Sequence, residues 1–385
     1  MDLSWIINHL GEDRDTPHAS VAPPMVRGNN FSFPTVAALR EGVQREYDAP
    51  FYTRGFNPTV AMLREKLAAL DGTEDALVFS SGAGAMTAAV VAFTKAGDHV
   101  VCIQKPYSWT KKLLIDLHAR FGVERTFVDG RDAENYRRAC KPNTTLFILE
   151  SPNSLTFEVT DIATVAAIAK EKGIMTICDN SHSGPLFQRP IELGVDMNMY
   201  TASKYINGHA DVVAGVITGR KEHVRRIMEK EFMTLGAVVS PADAWLMLRS
   251  LRTLPLRMER SADSATKVAE FLSGHPKVAE VLWPFAPGNA QAELARRQMT
   301  RCGALMSIRL KVKDESGIER FCDALKYFLM AVSWGGYESL AFPTCALKGP
   351  SGYYPDLPWD LVRLYIGLED PDVLIKDLGQ ALDRV

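Results

Sequence analysis

Between residues 59 and 218 the chain repeats one pattern: a short apolar run, then a longer stretch with apolar residues at helical spacing. The runs are ALVFS (76–80), HVVCI (99–103), TLFILE (145–150), MTICD (175–179) and VVAGVIT (212–218). They are apolar at consecutive positions and rich in Val and Ile, as a strand covered on both faces must be. Between them lie AMTAAVVAFTKAG, WTKKLLIDLHARFG and DIATVAAIAKEKG, with Gly97, Gly122 and Gly173 where the left-handed residues that close helices belong. Such alternation predicts an α/β fold with a mostly parallel sheet, in which ligands sit outside the carboxyl ends of the strands.

The pattern changes after residue 220. A long helical region broken at Pro255 is followed by strand-like VAEVLWP, ALMSIRLKV and VRLYIGL, with helix-like ESGIERFCDALKYF and DVLIKDLGQALDRV among them. Three parts are expected: an arm over 1–55, extended and Pro-broken, that packs on a neighbouring subunit; an α/β domain over 56–245; and a smaller α+β domain over 246–385. The net charge of −2 gives no reason to expect nucleic acid or an anionic membrane as a partner. No basic, apolar leader opens the chain and no apolar run is long enough for a membrane span. The six cysteines are scattered without C-x-x-C spacing, which predicts reduced thiols in a cytoplasmic protein and no metal site.

Five places carry residues suited to chemistry. Lys204, in TASKYINGHADVVAG, stands among small and apolar residues, a setting that favours the neutral, nucleophilic amine. Thr201 and Ser203 add hydroxyl donors beside it. Asp179 ends the run MTICD, and SSGAGAM (80–86), with Gly82 and Ala83, opens a helix after a strand, where main-chain N–H groups and the helix dipole receive a phosphate. Tyr52 and Arg54 in YTRGFNPT, and Arg363 inside VRLYIGLED, offer guanidinium forks for phosphate or carboxylate. Taken alone, each has an ordinary explanation: a surface lysine, a turn-forming Asp, an empty glycine turn, a loop arginine, a structural ion pair. Together the amine, the acid and the phosphate turn match the aldehyde, ring nitrogen and phosphate of pyridoxal 5′-phosphate.

The strings YTRGFNPT, SSGAGAM, ESPNSLTFEVTDI, DNSHSGPLFQRP, SKYINGHADVVAG and SWGGYESL resemble, in order and spacing, the motifs of the Cys/Met-metabolism (transsulfuration) enzymes that use pyridoxal phosphate. The resemblance implies the fold-type I architecture of these transferase-like proteins, and it implies roles. Lys204 is similar to the Schiff-base lysine and Asp179 to the partner of the pyridine nitrogen. Gly82, Ala83, Ser203 and Thr201 would hold the phosphate, with Tyr52 and Arg54 reaching it from the neighbouring subunit. Tyr107, in KPYSWT, resembles the tyrosine that stacks on the cofactor. Arg363 resembles the arginine that takes the substrate carboxylate, with Ser333 beside it.

Within the family the features lean toward the bacterial type of cystathionine β-lyase. Ser154 stands where γ-acting members usually carry Asn, Trp334 where they read SLGG, and Val332 where they carry Glu. The resemblance therefore implies β-elimination from a sulfur amino acid, giving a thiol, pyruvate and ammonia, in a homo-oligomer built as a dimer of dimers. A γ-acting enzyme (γ-synthase, γ-lyase or O-acylhomoserine sulfhydrylase) is the alternative, racemisation a side activity, and an inactive binding module a minor one.

Overall fold

The structure is a computed structural model that describes residues 1–15, 19–347 and 357–385. Seven strands form the first sheet: β1 Asp75–Phe79, β2 His99–Ile103, β3 Glu124–Val128, β4 Thr144–Glu150, β5 Met175–Asp179, β6 Met197–Thr201 and β7 Gly215–Gly219. Their order is β1-β7-β6-β5-β4-β2-β3, parallel except for β7, which runs against both neighbours. Consecutive residues of β1 enter opposite cores: Ala76 and Val78 pack toward helices Pro58–Asp71 and Pro241–Leu251, Leu77 and Phe79 toward helix Gly82–Ala92. That two-sided burial is why the runs could be apolar throughout.

Two strands of this sheet escape the sequence pattern. Edge strand β3 is largely exposed and reads ERTFV, while β6 carries Asn198 in its buried centre. Asn198 is accommodated because its Nδ2 donates to the buried carboxylate of Asp71 at 2.7 Å, which Tyr200 and Thr218 also reach through their hydroxyls. Of the three glycines, Gly173 (φ +65°) and Gly122 (φ +71°) close helical turns, whereas the helix before Gly97 stops at Ala92. VVAGVIT becomes strand only from Gly215.

The second sheet holds β8 Val278–Leu282, β9 Leu305–Leu310, β10 Leu329–Met330, β11 Leu340–Pro343 and β12 Leu361–Tyr365, ordered β10-β11-β12-β9-β8. Helix Leu254–Ser273 packs on it, and its apolar residues join those under the first sheet in one core. Pro255 lies in the first turn of that helix, and the break precedes it, at Arg252 and Thr253.

The arm begins against its own chain. Helix Leu3–Asn8 docks on this chain's own body: Ile6 and Ile7 are buried in the main core, and the buried Lys66 donates to the Ile6 carbonyl at 2.8 Å. Lys66 also pairs with Glu12 at 3.1 Å, and Glu12 pairs with Arg252. A cation so placed satisfies carbonyls that the helix end leaves without partners. Farther along, helix Val36–Gln44 leaves Val36, Leu39 and Val43 exposed.

Candidate active site

Strands β2, β4, β5 and β6 point one way, and so does β1, since β1 and β6 both oppose β7. Their carboxyl ends therefore gather Ser81–Gly82, Tyr107, Glu150, Asp179 and Thr201 along one edge of the sheet. Lys204 follows β6 in a tight turn, its N–H on the Thr201 carbonyl at 3.2 Å and its carbonyl accepting from Gly208 N–H at 2.7 Å.

The loop before β11 and strand β12 supply the other wall. A Cβ on Gly335 (φ +86°) would lie 2.9 Å from the Lys204 Cα, so only glycine permits this approach. Lys204 Nζ donates to Ser333 Oγ and lies 5.5 Å from the centre of the Trp334 ring. Ser333, at φ +80°, accepts from Arg363 Nη2 through its carbonyl at 3.1 Å. A non-glycine residue in that region is strained and is held there by its surroundings. Burial, and then the nearby Arg363 guanidinium, lower the Lys204 ammonium to a pKa of about 8; Glu338 and Asp179 act against them. A lysine so placed supplies neutral amine near neutral pH.

Asp179 is buried, and its Oδ1 accepts from Ser181 N–H at 3.0 Å. Burial pushes its pKa up, and the Lys204 charge opposes that. Beside it in register stands Glu150, the last residue of β4 and equally buried. Glu150 Oε2 accepts from Tyr107 N–H and Oε1 from Ser154 Oγ, both at 2.6 Å. Burial, and then the neighbouring Asp179, push Glu150 up to about 8. The Tyr107 phenol is raised by burial, then by Asp179 and Glu150, so it keeps its proton as an acid. Ser154 thus turns its hydroxyl to Glu150.

At the start of helix Gly82–Ala92, Ser81 Oγ caps Gly84 N–H at 3.0 Å, while the first helical N–H groups, those of Gly82 and Ala83, have no intrahelical partner. A Cβ on Gly82 would meet the Thr201 Cβ at 2.8 Å, and one on Gly215 the Ser81 carbonyl at 2.3 Å. These glycines bring a helix N-terminus, the Thr201 side chain and the strand ends into one cradle suited to an anion. Ser203 lies beside it with its hydroxyl on the main chain of Ala214, accepting from N–H at 3.0 Å and donating to the carbonyl at 3.3 Å.

Tyr52 and Arg54 are placed elsewhere. Both are exposed; Tyr52 bridges to Asn30, and Arg54 lies 5.5 Å from the Tyr52 ring. The sequence offered Glu338 only as an ion-pair partner for Arg363, and Glu150 no role. Glu150 had a signal, since it ends TLFILE as Asp179 ends MTICD. Of the loop FPTCALKGPSGYYPDLP, expected to wall the distal substrate group, residues 348–356 lie outside the described residues. The donor set fits pyridoxal phosphate: open N–H groups for the phosphate, a buried acid for the ring nitrogen and a weakly basic amine for the aldehyde.

A family model described as Cys/Met metabolism PLP-dependent enzyme matches residues 6–383. The chain is 38% identical to an L-methionine gamma-lyase of Treponema denticola, over 98% of this chain and 96% of that one. It is 35% identical to the cystathionine beta-lyase MetC of Bacillus subtilis, over 88% of each. The crystal structure of MetB from Corynebacterium glutamicum superposes with a TM-score of 0.93 at 33% identity, covering 100% of this chain and 98% of that one.

Proposed function

The chain belongs to the Cys/Met metabolism PLP-dependent enzymes, and we propose that within this family it is a carbon–sulfur lyase acting by β-elimination on cystathionine or a cysteine-type substrate. Cystathionine and water would give homocysteine, pyruvate and ammonia. When bound, pyridoxal phosphate supplies an aldehyde that captures the substrate amine and a ring that withdraws electrons from Cα. Asp179 would keep the ring nitrogen protonated. Gly82 and Ala83 would hold the phosphate through N–H groups, with Thr201 and, after its hydroxyl turns, Ser203. Arg363 would hold the substrate carboxylate. Lys204, as the free amine, would take the proton from Cα, and Tyr107 or Lys204 would return one to the departing sulfur.

The observation that carries the reading is the Lys204–Ser333–Arg363 bridge, which joins a weakly basic amine to a carboxylate-binding guanidinium through one residue. Trp334, which stands where γ-acting members read SLGG and whose ring lies beside Nζ, supports β- over γ-chemistry. γ-Elimination needs a second deprotonation, at Cβ, before the γ-substituent leaves. The γ-reading draws its support from relatives named L-methionine gamma-lyase and cystathionine gamma-lyase. The keto acid decides between them: pyruvate from cystathionine supports β, and 2-oxobutyrate overturns it. Lys204→Ala is expected to abolish turnover and the visible absorbance of the lysine-bound cofactor; a variant retaining both would refute the role of Lys204.

The proposal includes a second subunit that brings Tyr52 and Arg54 to the phosphate. Mixing inactive Arg54→Ala and Lys204→Ala chains should then restore activity that neither shows alone. The cysteines are free thiols, which supports a reducing, cytoplasmic place of work. Among the described residues no helix is long and apolar enough to cross a membrane.

A further inference from the structure

Two segments flank the acid edge of the site: one enters a short helix whose winding changes along its length, the other is a loop without regular structure. The first runs through Tyr107, which caps helix Ser108–Lys112 without a side-chain hydrogen bond; a wide turn over Leu113–Leu117 and a tight one over His118–Phe121 follow that single helical turn. The second runs from Ser151 to Glu158 and contains Leu155 and Phe157 at φ +67° and +52°, positions that such side chains rarely adopt. Glu150 meets both. One carboxyl oxygen accepts from Tyr107 N–H and the other from Ser154 Oγ, each at 2.6 Å. Among the described residues Glu150 has no ion-pair partner, and it stands in register beside Asp179.

We infer that Glu150 is a positioning residue: a buried carboxyl that ties the Tyr107 main chain to Ser154 and so sets the Tyr107 ring against Asp179. The inference rests on the lyase reading above. Two buried carboxyls side by side share one charge more readily than they carry two. Glu150, pushed up to about 8, holds its proton at neutral pH, with Ser154 Oγ within reach to accept it once the serine hydroxyl turns away, and leaves the negative charge to Asp179. Its task is then geometric, and an amide of the same shape should perform it. In Glu150→Gln the amide oxygen accepts from Tyr107 N–H while the amide nitrogen donates to Ser154 Oγ, whose hydroxyl turns away.

The test compares Glu150→Ala, Glu150→Gln and Ser154→Ala in the cofactor-loaded protein, by kcat and KM, by visible circular dichroism of the bound cofactor and by thermal unfolding. Misplacing a reacting group by about 1 Å costs on the order of 100-fold in rate. Glu150→Ala should accordingly lose roughly 10- to 100-fold in kcat with KM within about 3-fold, and should alter the dichroism. Glu150→Gln should restore both to within about 3-fold of the parent, and Ser154→Ala should fall between. If Glu150→Ala lowers only the unfolding temperature, the residue is merely structural and the inference falls. If Glu150→Gln is as damaged as Glu150→Ala, charge rather than position matters and the inference falls. Should Glu150→Ala not fold, Ser154→Ala and Glu150→Gln carry the same comparison. A parent protein that releases no keto acid from any sulfur amino acid refutes the lyase reading, while the dichroism still decides the role of Glu150.

Discussion

Lys204 answers to three charges, Arg363 pushing its proton off and Glu338 and Asp179 holding it on, over a background of burial that favours the neutral form. Glu338 is the larger of the two negative influences, and one of its carboxylate oxygens is buried without a hydrogen-bond partner. Replacing it by Gln removes a charge that stabilises the ammonium, so the Lys204 pKa should fall below its present value. If Lys204 is the base, activity rises with pH as the amine loses its proton, and Glu338→Gln should move that rising limb to lower pH. At pH 7 kcat should increase about 2- to 5-fold. A limb that moves the other way would show that another group controls it; the pH profile of kcat, which reports the substrate-bound enzyme, is the measurement. At this scale the sequence showed which residue types were present and that Lys204 had an apolar setting. It could not show that Ser333 and Arg363, more than a hundred residues away, would stand beside it, because that contact is made by segments far apart in the chain packing together.

The turn from β1 into helix Gly82–Ala92 shows what an element adds. Gly82 is required by the Thr201 side chain arriving from β6. Gly82→Ala would press a methyl group into that side chain and shift the helix start. Cofactor affinity should drop about 10-fold or more while the unfolding temperature changes little, read by titrating the apo-protein with pyridoxal phosphate. The strand–turn–helix was legible because SSGAGAM follows a buried run directly. Strand β6 was not, because Asn198 breaks its apolar pattern and the carboxylate that satisfies it, Asp71, comes from a different helix. Likewise the contact of the Ser154 hydroxyl with Glu150 was not legible, because it joins a loop to the end of a strand.

Where the loop after β5 meets the second sheet, His182 is buried against Phe157, its ring centre 5.4 Å away, and its Nε2 lies 3.4 Å from the Leu305 carbonyl of β9. Burial lowers its pKa from 6.5 to about 4, so in this pH range the unfolded chain binds a proton that the folded one refuses. Stability is therefore lost as pH falls from 6.5 toward 4, by at most about 3 kcal/mol from this group. Denaturant unfolding of the parent and of His182→Gln should show a stability difference that shrinks by that amount between pH 7 and 4; a constant difference would refute it. The sequence by itself determined the parallel α/β core, the helix-start cradle and the kinds of groups available, because strand burial and helix capping are local patterns written in neighbouring residues. The tertiary structure alone decided that helix Leu3–Asn8 docks on its own chain and that Ser333 links Lys204 to Arg363. It also decided that Glu150 sits in register with Asp179. Such placements depend on close packing between residues far apart in the chain, and no local pattern encodes them.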